Sequence, residues 1–141
     1  MTLAQAARVA GVDPRVAPAL LPRLAAALDG GSAGASGREW SAGAVIAMAV
    51  VRALDPHCVN PDRWAAGARA VGDAHERGLC PAYLVTAGGP TFGVLLDDVG
   101  AEHAAARVIT ELAAGGRAVR ALPVAPIVEH LSDVLEIAAP A

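Results

Sequence analysis

Proline and glycine divide this chain into short segments, and this division limits what the chain can fold into. Asp13-Pro14 and Asn60-Pro61 each pair a capping side chain with a proline, a combination typical of helix starts. Proline is tolerated at the first helical position because the N–H that it lacks has no partner there. The Gly-rich run at residues 29–37 is typical of a loop. No apolar stretch reaches the length of a membrane span, so we expect short elements without membrane contact.

Apolar residues recur at helical spacing through the first half of the chain. They predict helices over residues 2–10, 16–28 (most regular over 21–28), 41–54 and 61–77. Thr2 and Gln5 fit the reciprocal capping box of a helix start, and Ser41 fits an N-cap. Pro18 and Pro22 interrupt the second helix, because each removes a backbone donor and clashes with the carbonyl four residues back. We expect that helix to be broken or kinked.

The pattern changes after Gly78, where runs rich in β-forming residues replace the helical spacing. Residues 82–86 and 91–96 are predicted strands, joined by a hairpin turn at residues 87–90. A further helix, strand and helix follow over residues 100–114, 117–124 and 126–137. The C-terminal part is thus predicted to be a small ββαβα module, and the whole chain an α+β protein.

Composition and charge exclude several ways of binding nucleic acid. Aromatic residues are 3% of the chain, too few for the stacking platforms that bind single strands. The net charge of −3 excludes a strongly basic nucleic-acid coat, although it allows a local basic face. Residues 1–54 are faintly basic and residues 55–141 are acidic, a division that suits a DNA-contacting head on an acidic body. Cys58 and Cys80 lack CxxC spacing, and as free thiols they favour a cytoplasmic protein.

The first residues of the chain have the layout of a helix-turn-helix. Ala7 is small enough to let two helices cross closely, and Gly11 tolerates the left-handed conformation that the turn needs. Val12 fills the gap between the helices, and Asp13 caps the second helix. The second helix of such a motif lies in the major groove with its first residues against base edges. Arg15 is therefore expected on the DNA side.

The N-terminal part resembles the MerR-like winged helix-turn-helix domains in the order and spacing of its motifs. Those domains begin with a short helix, an Ala-x-x-x-Gly-Val turn and a recognition helix, followed by a wing and an Arg-aromatic-Ser start to a third helix. The matching features here are Ala7 to Gly11 with Val12, the Gly-rich residues 30–37, Arg38-Glu39-Trp40-Ser41 and the helix over residues 45–54. The resemblance covers about residues 2–54 of the chain.

This resemblance implies a DNA-binding fold and a set of contact residues. Arg15 would lie on the recognition helix, toward base edges or phosphate, and Arg23 and Arg38 would contact phosphates. Trp40 would be a core anchor. The implied domains are a winged helix-turn-helix over residues 1–56, a linking or dimerisation helix over residues 57–78 and the small α/β module over residues 79–141.

Other candidate sites have simpler structural explanations. A metal site made of Cys58, His75 and Cys80 is conceivable, but their spacing fits no established zinc pattern. The Gly-rich turn at residues 87–90 joins two strands, whereas a phosphate cradle joins a strand to a helix. No nucleophile elbow, Ser/His/Asp order or paired-carboxylate motif is present. We therefore expect no enzyme activity, no metal and no cofactor, and the sequence names no effector ligand.

The sequence thus predicts a cytoplasmic, sequence-specific regulator of transcription, such as a phage-type repressor, that binds double-stranded DNA. Phosphate contacts supply much of DNA affinity, and one protomer has few cations on its face, so a homodimer reading two half-sites is expected. The alternative is an assembly or interaction protein that keeps the fold without binding DNA, or an accessory factor of phage DNA packaging or excision. Whether Arg15, Arg23 and Arg38 lie on one exposed face discriminates between these hypotheses.

Overall fold

A computed structural model describes residues 1–12, 20–28, 40–57, 59–97, 100–116 and 118–138 of the chain. These residues form six helices and one three-stranded antiparallel sheet, which is the mixed α+β class that the sequence predicts. In chain order the elements are α1 Leu3–Val9, α2 Leu20–Leu28, α3 Ala42–Leu54, α4 Asp62–Glu76, β1 Pro81–Gly88, β2 Thr91–Leu96, α5 Ala101–Ala113, β3 Arg120–Pro123 and α6 Ala125–Ala138. None of the described helices is both long and apolar enough to cross a membrane.

Helix α1 begins with the capping box that the sequence predicts. The Thr2 hydroxyl accepts the N–H of Gln5 at 3.2 Å, and the Gln5 side chain accepts the N–H of Thr2 at 2.9 Å. These two bonds satisfy N–H groups that a helix start leaves without a helical partner. Ala6 and Ala7 are fully buried, so the short helix packs closely against its neighbours.

Helix α2 begins at Leu20, close to where the sequence predicts the regular part of this helix. This start puts Pro22 in the first turn, where the N–H that proline lacks has no helical partner. Leu24 is fully buried, whereas Arg23 is exposed. Pro18 lies outside the described residues.

Helix α3 is the centre of the core. Ser41 caps it as predicted, and the Ser41 hydroxyl accepts the N–H of Ala44 at 3.2 Å. Nine of its 13 residues are buried, which is typical of a helix that protein surrounds on all sides. Helix α3 contacts α1, α2, α4 and α6. The helices of the first part and the last helix of the chain therefore share one core.

Glycine lets α3 and α4 approach until their backbones touch. A Cβ on Gly72 of α4 would lie 2.2 Å from the Gly43 carbonyl oxygen of α3, closer than any side chain permits. At the same crossing, the Glu76 carboxylate of α4 accepts the N–H of Gly43 at 3.1 Å. A carboxylate at a helix start also interacts favourably with the helix dipole. Backbone contact and a charged cap together fix this crossing.

A buried aspartate organises the entry into α4. Asp55 is 8% exposed, and its carboxylate accepts the N–H groups of Val59 at 3.0 Å and Asn60 at 2.8 Å. Among the described residues no side chain caps α4, whose N-cap residue is Pro61. The predicted cap by the Asn60 side chain is therefore wrong, because Asp55 fixes this part of the chain by bonding its backbone instead.

The sheet has the strand order β2-β1-β3, with both outer strands antiparallel to β1. Gly88 pairs with Thr91, so the predicted hairpin is confirmed, with residues 89–90 as its turn. Strand β3 is shorter than the predicted residues 117–124, because only four residues pair with β1.

Helices cover both faces of the sheet. Leu84 of β1 packs against α4, where one of its methyl carbons lies 3.2 Å from the place of a Cβ on Gly67. Gly93 of β2 pairs with Val85 and faces Val108 of α5. Adjacent residues of a strand point to opposite faces, so α4 and α5 lie on opposite sides of the sheet.

One continuous core connects the three predicted segments. Its buried residues come from α1, α2, α3, α4, β1 and the region of α6. The predicted boundaries near residues 56 and 78 lie at the entry into and the exit from α4, which packs both on α3 and on β1. The division into a winged helix-turn-helix, a linking helix and a small α/β module stays a prediction. Helix α4 joins the parts before and after it through buried contacts.

Replacing Gly72 by alanine should destabilise the fold much more than the same change at Gly67. The new methyl group at Gly72 would meet the backbone of α3, and overpacking of this kind costs about 3 kcal/mol. At Gly67 the methyl group would meet the flexible Leu84 side chain. At either position alanine gains about 1 kcal/mol of helix propensity over glycine. Urea denaturation of the two variants measures the difference. Equal losses of stability would contradict the backbone contact at Gly72.

Candidate nucleic-acid interface

The end of α1 is a tight turn that matches a standard glycine-ended helix. Gly11 has a φ of +80°, in the left-handed region that side chains disfavour. The N–H of Val12 donates to the Ala7 carbonyl at 2.8 Å, and the N–H of Gly11 donates to the Arg8 carbonyl at 3.1 Å. This pair of bonds is the Schellman motif, which satisfies carbonyls that the helix end leaves free. The chain direction after α1 is therefore fixed by backbone geometry.

The side chains at this turn are arranged as a packed corner. Ala7 is fully buried, and Val12 is half-buried against the core. Gly11 lies between them at the surface. We call Ala7, Gly11 and Val12 the corner. Asp13, the predicted cap of the second helix, lies outside the described residues.

The turn at Gly11 also contacts α3 and lies next to α6. The guanidinium carbon of Arg52 lies 3.4 Å from the place of a Cβ on Gly11. Beside it is a cavity of about 350 Å³ between the turn, α3 and α6, and its lining includes Val9, Ile127 and His130. The last helix of the chain therefore lies next to the corner.

Of the three arginines predicted to contact DNA, Arg23 lies within the described residues. Its side chain is 49% exposed, and one of its terminal nitrogens lies 3.8 Å from an Asp62 carboxylate oxygen. An exposed ion pair of this kind stabilises by about 0–1 kcal/mol, so a stronger anion can replace the carboxylate. Arg15 and Arg38 lie outside the described residues.

Trp40, the expected core anchor, lies in the core at the start of α3. It is 4% exposed and belongs to the buried cluster around α3. Its backbone N–H donates to the Met1 carbonyl at 2.9 Å. This bond connects the start of α3 to the beginning of the chain, which places α1 and α3 side by side.

Two further arginines lie over the ring of Trp64, near the start of α4. The guanidinium carbon of Arg63 lies 4.7 Å from the centre of the Trp64 ring, and that of Arg120 lies 5.4 Å from it. Both distances allow cation–π attraction, which stabilises by about 0.5–1 kcal/mol at exposed sites. We call Arg63, Trp64 and Arg120 the basic cluster.

Backbone contacts position both arginines of the basic cluster. The N–H of Gly89 in the hairpin turn donates to the Arg63 carbonyl at 2.7 Å. The Arg63 side chain crosses the neighbouring backbone, with its Nε 2.7 Å from the place of a Cβ on Gly88. Arg120 of β3 donates to the carbonyl of Leu54 at the end of α3. A cation is stabilised there because the last carbonyls of a helix carry partial negative charge.

Sequence reasoning missed the basic cluster. The sequence patterns gave Arg63, Trp64 and Arg120 no functional role. The start of α4 and β3 are distant in the chain, and the pairing of β3 with β1 brings them together. The only local signal was an arginine next to a tryptophan at a helix start.

Two of the three residues considered for a metal site, His75 and Cys80, line the same cavity. A cavity of about 500 Å³ at the C-terminal end of α4 has ionisable and thiol side chains in its lining: His75, Cys80, Asp97, Glu129 and Asp133. Cys58 lies outside the described residues. In the described ranges, no group of three or more His, Cys, Asp and Glu side chains is arranged to hold a metal ion.

Comparison of this chain with models of protein families, with curated proteins and with solved structures gives no significant match. The function of the chain is therefore inferred from the geometry of the corner, from Arg23 and from the basic cluster.

Replacing Gly11 by alanine should lower the free energy of unfolding by about 1–2 kcal/mol, because a Cβ disfavours the left-handed conformation. Replacement by asparagine should cost less, since asparagine tolerates this conformation better. A Cβ at Gly11 meets Arg52 at ordinary contact distance, so the cost is conformational rather than steric. Urea denaturation of both variants measures it. An alanine variant as stable as the wild type would contradict the left-handed turn.

Proposed function

We propose that this chain is a DNA-binding regulator of transcription that acts without catalysis. The observation that carries the proposal is the corner, with its buried Ala7, its left-handed Gly11 and the backbone bond from Val12 to Ala7. In a helix-turn-helix, such a corner orients the second helix toward the major groove. The buried Trp40 before a capped α3 supports the same function, because it fits the order of motifs that resembles MerR-like domains.

In this proposal Arg15 contacts base edges or phosphate, and Arg23 and Arg38 contact phosphates. The exposure of Arg23 and its weak ion pair with Asp62 support this role, since a phosphate can take the place of the carboxylate. Few cations on one protomer give weak binding. Binding as a homodimer to two half-sites is therefore part of the proposal.

A second candidate is an assembly protein that keeps this fold without binding DNA, as a phage packaging or excision accessory factor would. The ion pair between Arg23 and Asp62 favours it, because a neutralised arginine attracts phosphate less. Leu79 and Leu96 also favour it. Each is 38% exposed, and both lie near Pro81 at one end of the sheet, where a protein partner would cover them.

Fluorescence anisotropy of a labelled random-sequence duplex at two salt concentrations tests the proposal, with the oligomeric mass measured in parallel. Salt-sensitive binding by a dimer supports the regulator, because counterion release makes phosphate contacts salt-dependent. Absence of binding at low salt favours the assembly protein.

Replacing Arg15 or Arg23 by alanine should weaken duplex binding. Each change should lower the slope of log affinity against log salt by about one, because one phosphate contact is lost. Arg107→Ala removes the same charge from an exposed place on α5 and serves as the matched control. An unchanged affinity and slope in Arg15→Ala would rule out the assignment of the recognition helix.

Replacing Asp62 by asparagine should strengthen duplex binding about fivefold at low salt. The change releases Arg23 and removes a negative charge that repels phosphate, an effect of about 1 kcal/mol at 4 Å in water. Asp73→Asn changes the net charge equally, at an exposed place further along α4. If both variants gained affinity equally, net charge alone would explain the gain, and Arg23 would have no part in it.

A further inference from the structure

The basic cluster carries more positive charge than the described residues neutralise. No carboxylate of the described residues lies within 4.0 Å of the Arg63 or Arg120 guanidinium group. The two guanidinium carbons lie within about 10 Å of each other, because both are close to the same Trp64 ring. An anion beside the Trp64 ring is therefore attracted by both charges.

Both arginines also keep N–H donors that no described residue uses. Arg120 uses one donor on the Leu54 carbonyl, and the Arg63 side chain makes no hydrogen bond within the described residues. Both residues are exposed. A guanidinium group presents its donors as a planar fork that matches the oxygens of a phosphate. Contact with Trp64 restricts both side chains, which lowers the entropy cost of ordering them on a ligand.

The basic cluster and the ion pair of Arg23 both involve the first turn of α4. Asp62, the ion-pair partner of Arg23, is the residue before Arg63. Helix α2 packs on α4, and Arg120 of β3 reaches the Trp64 ring of α4. Cations of α2, α4 and β3 therefore each lie next to a residue of the first turn of α4, Asp62 or Trp64. They supply positive charge beyond that of the predicted recognition segment.

We propose that Arg63 and Arg120 form a phosphate-binding site in which Trp64 fixes the two guanidinium groups. The identity of the phosphate rests on the proposed function, which makes it a backbone phosphate of duplex DNA. The site extends the contact surface from the recognition segment onto α4 and β3. A small phosphoryl compound has the same chemistry, so the experiment separates the two sources.

Trp64 makes the site directly observable, with pyrophosphate as the probe. Titration at constant ionic strength should change the tryptophan emission saturably, and chloride at the same ionic strength should not. Trp64→Phe should remove the signal, because the only other tryptophan, Trp40, is buried. Arg63→Gln and Arg120→Gln should each weaken pyrophosphate binding about tenfold, as expected for a lost hydrogen bond to a charged group.

The variants need a control for folding and a control for charge. Arg120→Gln also loses the bond to the Leu54 carbonyl, so Arg63→Gln, which loses no such bond, is the decisive variant. Circular dichroism and thermal unfolding establish that each variant folds. Arg107→Gln, on α5, should bind pyrophosphate like the wild type. The absence of a signal in the wild type, or an unchanged affinity in a folded Arg63→Gln, overturns the site.

The duplex assay then decides the source of the phosphate. Arg63→Gln should lower the salt slope of duplex binding by about one, whereas Arg107→Gln should leave it unchanged. If the wild type binds pyrophosphate through Arg63 but does not bind the duplex, the site stands with a free phosphoryl ligand and the proposed function fails. If Arg63→Gln weakens pyrophosphate binding but leaves duplex binding unchanged, the assignment to the DNA backbone is overturned.

Discussion

The backbone contact between Gly43 of α3 and Gly72 of α4 determines how the other parts of the molecule are arranged. No side chain separates the two helices there, so their distance is set by backbone atoms, and the bond from Gly43 to Glu76 opposes sliding. Helix α3 packs on α1 and thus on the corner, whereas α4 packs on the sheet. This rigid crossing, together with α6, which contacts both α1 and β1, therefore sets the relative position of the corner and the sheet. Interiors packed this closely do not deform gradually.

Arg120 shows how one side chain can have a structural contact and still be available to a ligand. It joins three elements, because it belongs to β3, donates to the Leu54 carbonyl of α3 and lies over the Trp64 ring of α4. The carbonyl occupies only part of the guanidinium group, and the charge remains without a carboxylate partner among the described residues. A lysine would serve both purposes less well, because its three donors lie on one nitrogen atom, whereas the planar fork of arginine spreads five donors over three nitrogens.

Features decided by neighbouring residues were predictable from the sequence, and features decided by distant contacts were not. The capping box at Thr2, the cap at Ser41 and the glycine turn of the corner depend on residues within one helical turn. A glycine inside a helix, such as Gly72, indicates only a weak helix until the neighbouring backbone is known. The predicted helix over residues 41–54 ends just before Asp55, but the pattern did not indicate that the buried Asp55 carboxylate organises the next connection. The basic cluster escaped prediction for the same reason, because strand pairing assembles it.

The acidic net charge of the chain is compatible with the proposed DNA binding, because α4 separates the basic cluster from a group of carboxylates. The basic cluster lies at its N-terminal end, and the cavity lined by His75, Glu129 and Asp133 lies at its C-terminal end. A helix of 15 residues is about 22 Å long, roughly twice the Debye length of about 10 Å at 0.1 M salt. A phosphate at the basic cluster is therefore screened from those carboxylates. In the proposed complex at lower salt, the same separation would orient the molecule, since a duplex repels the acidic end and attracts the basic end.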